Sequence, residues 1–202
     1  KLQCQTLTLQ VLEISFLLFS TPTFSIAPKP YQSVTPSCRG KSMLPQECFN
    51  IVLVEPEIPP NTGSIARLCG ATNATLHLVH PLGFSTSDRH LKRAGLDYWE
   101  HVHIVHWEKL DAFLLAQDER KLFFFTTKVK RSYTEASFQP GDYLVFGRET
   151  KGLPGDILSF YNDRCYTIPM ENSHIRSLNL AMTAGIVLYE AIRQLGMRRQ
   201  ES

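Results

Sequence analysis

The sequence has few of the features that mark specialised classes of protein. Its 5 cysteines are scattered, odd in number and form no CxxC pair, which argues against a disulfide framework or a zinc site and indicates a reducing compartment. It also lacks an excess of charge of one sign, since 21 Lys+Arg stand against 19 Asp+Glu among 202 residues that are 43% hydrophobic. This composition excludes disordered, collagen-like and coiled-coil proteins, and its length suits one globular domain with an appendage.

Residues 1–47 lack the periodicity that would build a core. They are rich in Ser and Thr, contain few acidic residues, and hold an apolar run at 11–19 that Glu13 interrupts. This run is far shorter than the roughly 20 residues that a bilayer span requires, so we expect no membrane span. We interpret 1–47 as a non-core leader, with a plastid or other organellar transit peptide favoured over a secretory signal. The alternative is that the upstream residues are an artefact and the protein starts at Met43, which implies a cytoplasmic protein.

The charge of the leader differs from that of the rest of the chain. The leader contains four basic and two acidic side chains, which leaves 17 basic and 17 acidic side chains in residues 48–202. The part predicted to fold is therefore neutral overall. A nucleic-acid partner would have to be held by local basic patches, because there is no global positive field to attract it.

Short apolar runs alternate with helical patterns from residue 49 onwards. Strands are predicted at 49–54, 75–80, 102–105, 122–126, 143–146 and 165–168. Helices are predicted after a cap at Asn61-Thr62-Gly63 and at 89–94, 109–116 and 177–195, the last ending before Gly196. This alternation predicts one α/β domain over 48–202 with a mostly parallel sheet, a class of fold that binds ligands beyond the carboxyl ends of its strands.

Several common catalytic motifs are missing from this domain. It contains no GxGxxG after a strand, no GxxxxGK[ST], no GxSxG and no HExxH. The spacing of His101, His103 and His106 is compatible with a metal site, but apolar residues alternate with these histidines and no cluster of Cys or carboxylates accompanies them. We therefore expect a half-exposed strand here and no metal.

Three polar segments follow predicted strands instead. They are EPEIPPNTGSIAR at 55–67, FGRETKGLP at 146–154, and IPM at 168–170 leading to RSLNL at 176–180. Together with RAGLDYWE at 93–100 and YEAIRQLG at 189–196, they resemble the motifs of the SpoU (TrmH-like) branch of the SPOUT superfamily of RNA 2′-O-methyltransferases. The resemblance covers about residues 49–197 and is greatest to the TrmL type, which acts on the ribose of C or U at wobble position 34 of tRNA. Arg148 departs from the pattern, since proline is common there.

The resemblance implies a mostly parallel sheet with helices on both faces, a C-terminal trefoil knot, and a homodimer whose active site draws on both subunits. It implies S-adenosylmethionine as the cofactor and the anticodon loop of tRNA as the substrate. By position in the motifs, the cofactor would be held by Phe125, Thr126, Gly147, Glu149, Ile168, Met170, Ser177 and Leu178. At Gly147, the missing side chain would let the backbone approach the cofactor closely.

The catalytic residues implied by the resemblance are Arg67, Asn61 and Asn179. Arg67 would serve either as the base or, more easily for a guanidinium that stays protonated, as a group that stabilises an alkoxide or holds a phosphate. The presence of these three residues argues against a SPOUT-fold RNA-binding factor that has lost catalysis. Ribosomal RNA or another tRNA position stays open as the target, although the lack of an added RNA-binding domain favours a small accessible loop.

Two further surfaces are predicted. With a polyanionic substrate implied, the basic side chains of Lys128, Lys130 and Arg131 are candidates for phosphate contacts. Tyr189 lies at helical spacing from Ile186 in the closing helix, which in this family packs across the dimer interface. We therefore expect Tyr189 at that interface.

Overall fold

The structure is a computed structural model that describes residues 49–85, 101–172 and 174–196. The predicted leader and the helix predicted at 89–94 lie outside the described residues.

Six strands form one sheet in the described part of the chain, and every neighbouring pair is parallel. The order across the sheet is β3-β2-β1-β5-β4-β6. The strands are β1 (Phe49–Val54), β2 (Thr75–Val79), β3 (Ile104–Trp107), β4 (Leu122–Phe125), β5 (Asp142–Phe146) and β6 (Cys165–Tyr166). The prediction of a parallel sheet is confirmed, and all strand carboxyl ends therefore lie at one edge.

Helices cover both faces of this sheet, as predicted. They are α1 (Pro59–Thr72), α2 (Leu110–Ala116), α3 (Gly155–Phe160) and α4 (Leu180–Gln194). Alternate residues of β1 enter two separate apolar clusters, because successive side chains of a strand point to opposite faces. Ile51 and Leu53 pack in the cluster that contains residues of α1 and α4. Val52 and Val54 pack in the cluster that contains residues of α2 and α3.

The predicted start of the first helix is wrong. Ile58 is the N-cap of α1 and makes no side-chain capping bond, while Pro59 and Pro60 occupy the first two helical positions. Proline has no backbone N–H, so these positions leave no donor that needs a cap. Asn61 is thus not the cap but a buried residue of the first turn, which leaves its amide available for tertiary contacts.

Two other boundaries differ from the prediction. The last helix begins at Leu180 and not at residue 177, because the side chain of Asn179 caps it: Oδ1 accepts from the backbone N–H of Ala181 at 2.9 Å and of Met182 at 3.3 Å. The third strand begins at Ile104, two residues later than predicted, and extends to Trp107. Gly196 follows α4 with φ 70°, the left-handed conformation expected of a glycine at this position.

A buried histidine joins the first three strands. The indole N–H of Trp107 donates to Nδ1 of His77 at 3.0 Å, so the ring proton of His77 lies on Nε2, which is 3.2 Å from Oδ1 of Asn50. Only 5% of His77 is exposed. Burial, and to a lesser extent the nearby His103, lower the pKa of His77 to about 3, so this histidine is neutral in the core.

The depressed pKa of His77 predicts a stability that falls with acidity. Below the unfolded-state pKa of about 6.5, the unfolded chain binds a proton that the native His77 does not accept until near pH 3. We expect this one group to cost about 1.4 kcal/mol of the free energy of unfolding between pH 7.5 and 5.5. Denaturant unfolding across this range should show a flatter pH dependence in His77→Gln than in the parent. Exposed His101→Gln is the control, and parallel curves for His77→Gln and the parent would contradict the assignment.

Candidate active site

A cavity of about 730 Å³ opens at the edge where the strands end. It lies beyond β4, β5 and β6 and is bordered by the first turn of α1 and the start of α4. The lining comprises residues 58, 61, 125–128, 146–152, 167–168, 176–180 and 183. All three polar segments singled out in the sequence therefore reach the same cavity. Its volume is that of a site for a cofactor-sized molecule.

The loops that follow β1 and β5 are interlocked by two carboxylates. Glu149 accepts from the backbone N–H of Glu57 at 2.8 Å and of Ile58 at 3.3 Å. In return, the Glu57 carboxylate accepts from the N–H of Thr150 at 3.0 Å and from its hydroxyl at 2.7 Å. Charge-assisted bonds of this kind are stronger than neutral ones. The two loops thus form one rigid wall of the cavity.

Arg148 adds an ion pair to this wall. Its guanidinium pairs with the carboxylate of Glu55, a residue held at φ 50° at the end of β1. The side chains of Arg148 and Glu55 are 35% and 20% exposed, so water screens the pair only in part. The residue at which the sequence departs from the family pattern therefore contributes a further tie between the same two loops.

A chain of side-chain amides crosses the cavity wall. Nδ2 of Asn179 donates to Oδ1 of Asn61 at 2.9 Å, and Nδ2 of Asn61 donates to Oε1 of Glu149 at 3.0 Å. Asn179 caps α4, Asn61 lies in the first turn of α1, and Glu149 lies in the loop after β5. Three segments distant in sequence are thereby held in one geometry beside the cavity.

Gly147 is required by its own loop. A Cβ atom at this position would lie 2.2 Å from the carbonyl carbon of Gly152 and 2.3 Å from the nitrogen of Leu153, distances at which backbone must move. Arg148 and Gly152 also form an antiparallel bridge that closes the loop. Gly152 itself has φ 68°. The loop itself therefore requires a glycine at position 147, and the close approach of a cofactor to this residue stays a prediction.

Most of the predicted site residues line the cavity. Asn61 and Asn179 do so, as do the predicted cofactor ligands Phe125, Thr126, Gly147, Glu149, Ile168, Ser177 and Leu178. Met170 does not line it. Arg67 does not line it either and lies on the exposed face of α1.

The predicted RNA-binding residues have different environments. Lys128 is exposed and lines the cavity, whereas Lys130 is exposed and does not line it. The guanidinium of Arg131 donates to the backbone carbonyl of Asp163 and lies 5.6 Å above the ring of Tyr166. Arg131 is thus engaged within its own chain, and of the three predicted cations it is the least available to a phosphate.

Sequence reasoning missed two cations of the cavity and one carboxylate of its wall. Lys151 and Arg176 line the cavity, and Glu57 holds the loop opposite. All three lie inside the motif segments, so their place in those segments was the available signal. Which side chains turn inward depends on loop conformation, which the pattern of residues does not encode.

The described residues contain no group of three or more His, Cys, Asp or Glu side chains arranged to hold a metal ion. Across the same residues, no helix has the length and apolarity to span a bilayer.

His80 and His106 contact each other, with Nε2 of the former 3.0 Å from Nδ1 of the latter. Burial and the neighbouring His80 lower the pKa of His106.

Comparison with known proteins identifies the family of this chain. Residues 48–189 match the profile of the SpoU rRNA Methylase family. A relative from Saccharophagus degradans, named tRNA (cytidine(34)-2′-O)-methyltransferase, is 51% identical over 150 residues, which cover 73% of this chain and 96% of the relative. A solved structure concerned with 2-OH methylation of C/U34 on tRNA has 45% identity and a TM-score of 0.70, and the match covers 74% of this chain and 97% of that one.

A more distant structure shares the fold. The SpoU methyltransferase AviRb from Streptomyces viridochromogenes, solved in complex with AdoMet, has a TM-score of 0.65 at 24% identity, with 75% of this chain and 62% of AviRb covered. The family profile spans well over half of the present chain. As the motifs predicted, the protein belongs to the SpoU methylase family.

Proposed function

We propose that this protein transfers a methyl group from S-adenosylmethionine to the ribose 2′-hydroxyl of the nucleotide at position 34 of tRNA. The observation that carries the proposal is the convergence of the three motif segments on one cavity, with the amides of Asn61 and Asn179 in its wall. The relative at 51% identity, aligned over 96% of its length, is named for this reaction.

The lining of the cavity fits the cofactor. Its volume of about 730 Å³ suits a molecule of this size, and its walls combine the apolar side chains of Ile168, Leu178 and Leu180 with loop backbone that can bond an adenine edge. We assign Phe125, Thr126, Gly147, Ile168, Ser177 and Leu178 to the holding of S-adenosylmethionine, and AviRb, which has the same fold, was solved with AdoMet. When bound, this cofactor supplies the electrophilic methyl group.

The protein's own side chains must orient the ribose, because methyl transfer is an in-line displacement in which O2′ forms a bond to the methyl carbon and loses its proton to solvent water. Asn61 and Asn179 adjoin the cavity and can hold ribose oxygens by donating N–H groups. Arg67 is assigned to the phosphate beside the target ribose or to the charge that develops on O2′. A guanidinium suits these tasks better than proton abstraction, because it stays protonated in proteins.

Recognition of RNA is assigned to cations at the cavity. Lys128, Lys151 and Arg176 are exposed side chains that line it, and the phosphates around a target ribose require such partners. Residues 48–202 as a whole carry no excess of positive charge, so the attraction of RNA phosphates depends on these local cations. A splayed nucleotide of an anticodon loop is a suitable substrate, since its backbone and base are both accessible.

The protein is proposed to work as a homodimer in which α4 forms the interface. Met182, Ile186 and Tyr189 lie at spacings of four and three residues on α4, and their exposed fractions are 60%, 36% and 51%. Side chains at this spacing form one stripe on a helix. The second copy would cover this stripe. Because Arg67 does not line the cavity of its own chain, we propose that the second copy supplies its Arg67 to this cavity.

Charge placed in this stripe should separate the subunits. Tyr189→Arg is expected to give a monomer in light scattering at concentrations where the parent is a dimer, because a buried unpaired guanidinium is costly at an apolar interface. The monomer should also lose most turnover. Leu115→Arg is the matched control: Leu115 is 89% exposed on α2, over the opposite face of the sheet, and this variant should stay dimeric. A dimeric Tyr189→Arg would contradict the proposed interface.

A C-terminal trefoil knot is part of the proposal. β6 lies at the edge of the sheet beyond β4, whereas α4, which follows it in sequence, packs against α1 and β5. The described connecting residues, 167–172 and 174–179, therefore return across the carboxyl ends of β4 and β5, where residues 167–168 and 176–179 line the cavity. This path is the one expected if the C-terminal segment passes through the loop that follows β5, as a trefoil knot requires.

The decisive experiment is transfer of labelled methyl from S-adenosylmethionine to total tRNA by the full chain, followed by nuclease mapping. A 2′-O-methyl at position 34 is the expected result. Methylation of another tRNA nucleotide or of ribosomal RNA would support the alternative targets. Cofactor binding without methylation of any RNA would favour a non-catalytic RNA-binding protein.

A further inference from the structure

The chain of amides in the cavity wall has a fixed direction. At one end are the backbone N–H groups of Ala181 and Met182, which can only donate, so the atom of Asn179 that faces them must be its oxygen. At the other end is the Glu149 carboxylate, which accepts from Asn61. The two ends together fix the orientation of both amides.

This direction decides what the amides can offer to a ligand. Oδ1 of Asn179 is occupied by two N–H groups, and Oδ1 of Asn61 accepts from Asn179. Each side-chain NH₂ group donates one of its two protons within the chain of bonds, so its second proton is not needed to maintain that chain. Both residues line the cavity, so the wall presents amide donors there.

We propose that Glu149 is a positioning residue that polarises the Asn179–Asn61 pair so that both amides present N–H donors to the oxygens of the target ribose. The inference rests on the proposed function, because it assigns a substrate to these donors. Donors fixed before the reaction stabilise an oxygen on which negative charge develops.

The contacts of Glu149 favour this role over the cofactor-binding role expected from the motif. Its carboxylate oxygens accept from the N–H groups of Glu57 and Ile58 and from the amide of Asn61. All these donors belong to the segment that joins β1 to α1 and to the first turn of α1. Glu149 therefore acts through Asn61 on the part of the cavity wall formed by the first turn of α1.

The direction of the hydrogen bonds that link Asn179, Asn61 and Glu149 can be reversed by substitution. Such a reversal tests whether turnover depends on this direction or only on the structural support that the bonds give. In Asn179→Asp, one carboxylate oxygen still caps α4, but the other faces Oδ1 of Asn61, so two acceptors oppose each other. If the Asn61 amide rotates by about 180°, its Nδ2 can donate to Asp at position 179, but its Oδ1 then faces the Glu149 carboxylate, which is also an acceptor. The additional change Glu149→Gln supplies a donor at that point. The double variant thus regains a bonded chain of opposite direction, with the net charge of the parent and without the long contact from Ile58.

Thermal unfolding, affinity for S-adenosylmethionine and turnover on tRNA should be measured for both single variants, the double variant and Asn162→Asp. Asn162 is exposed in a turn away from the cavity, so this control adds the same charge without effect. We expect Asn179→Asp to unfold at a lower temperature than the parent and the double variant to recover. The kcat of the double variant should nevertheless stay about 100-fold below that of the parent, which is the usual cost of losing a fixed donor. For Glu149→Gln, the affinity for S-adenosylmethionine should stay within about threefold of the parent.

Three results would overturn the proposal. Recovery of kcat in the double variant to within about threefold would show that only structural support matters. A loss of S-adenosylmethionine affinity beyond about tenfold in Glu149→Gln would make Glu149 a cofactor ligand. A double variant less stable than both single variants would contradict the directional chain itself. Absence of RNA methylation by the parent would instead contradict the proposed function, while the stability comparison would still test the chain.

Discussion

Gly147→Ala is expected to weaken the binding of S-adenosylmethionine by at least about 100-fold. The added Cβ would lie 2.2 Å and 2.3 Å from backbone atoms of Gly152 and Leu153, and backbone cannot move aside as a flexible side chain can. The loop must open, which displaces Glu149 and Thr150 from their partners in the loop after β1. Displacement of about 1 Å in a binding loop costs on the order of 100-fold, and titration calorimetry should show at least this loss of affinity.

Gly155→Ala is the matched control for this substitution. Gly155 begins α3 only eight positions later, and a Cβ atom there meets nothing within 4 Å. Alanine is the better helix former, so the control should bind S-adenosylmethionine normally and be at least as stable as the parent. Normal affinity in Gly147→Ala would mean that the cofactor does not occupy this cavity or that the loop accommodates the side chain.

Arg67→Ala is expected to lower kcat by at least about 100-fold while leaving the affinity for S-adenosylmethionine within about threefold. The affinity should change little because Arg67 lies on the exposed face of α1 and does not line the cavity assigned to the cofactor. Single-turnover methyl transfer and calorimetry measure the two quantities separately. Arg67→Lys should recover turnover only in part, because an ammonium lacks the planar donor fork.

Arg120→Ala controls for loss of a surface guanidinium. Arg120 is exposed and pairs with Asp118 in a turn before β4, and this side-chain bond lowers the pKa of Asp118 to about 2. The control should turn over at the rate of the parent. Loss of S-adenosylmethionine binding in Arg67→Ala would contradict the assignment of Arg67 to the chemistry.

A heterodimer shows which subunit supplies Arg67. Arg67→Ala and Gly147→Ala chains, co-expressed with different tags, can be purified as a mixed dimer. If Arg67 acts across the interface, the intact cofactor loop of the first chain meets the intact Arg67 of the second, and one of the two sites works. Turnover should then be about half that of the parent dimer. If Arg67 acts within its own chain, both sites lack one component and the mixed dimer is inactive.

The main elements of the fold were predictable because the sheet is buried on both faces. A parallel strand covered by helices on both sides reads as a continuous apolar run, as the runs predicted at 49–54 and 122–126 do; the first strand has the predicted bounds, and the second ends one residue earlier, at Phe125. Helix starts were predicted less well. Pro59 and Pro60 remove the N–H groups that a cap would serve, so the polar cluster at Asn61 was free for a tertiary role.

The candidate site was predictable as a set of segments but not as a geometry. Asn61, Gly147, Ile168 and Asn179 line one cavity, as the motifs indicated. Met170 and Arg67 lie outside its lining despite belonging to the same motifs. Position in a motif brings a residue to the correct edge of the sheet, whereas the direction of its side chain depends on how each loop packs against the others.

The parallel α/β sheet, the placement of its loops at one edge and the membership of the SpoU methylase family could all be read from the residues, because burial periodicity and motif residues are local properties. The hydrogen bonds from Asn61 to Glu149, 88 positions away, and to Asn179, 118 positions away, emerge only from the folded chain. No periodicity links residues so far apart. Their contacts exist because parallel strands carry distant loops to a common edge, where hydrogen-bond donors and acceptors must find partners as the loops are buried.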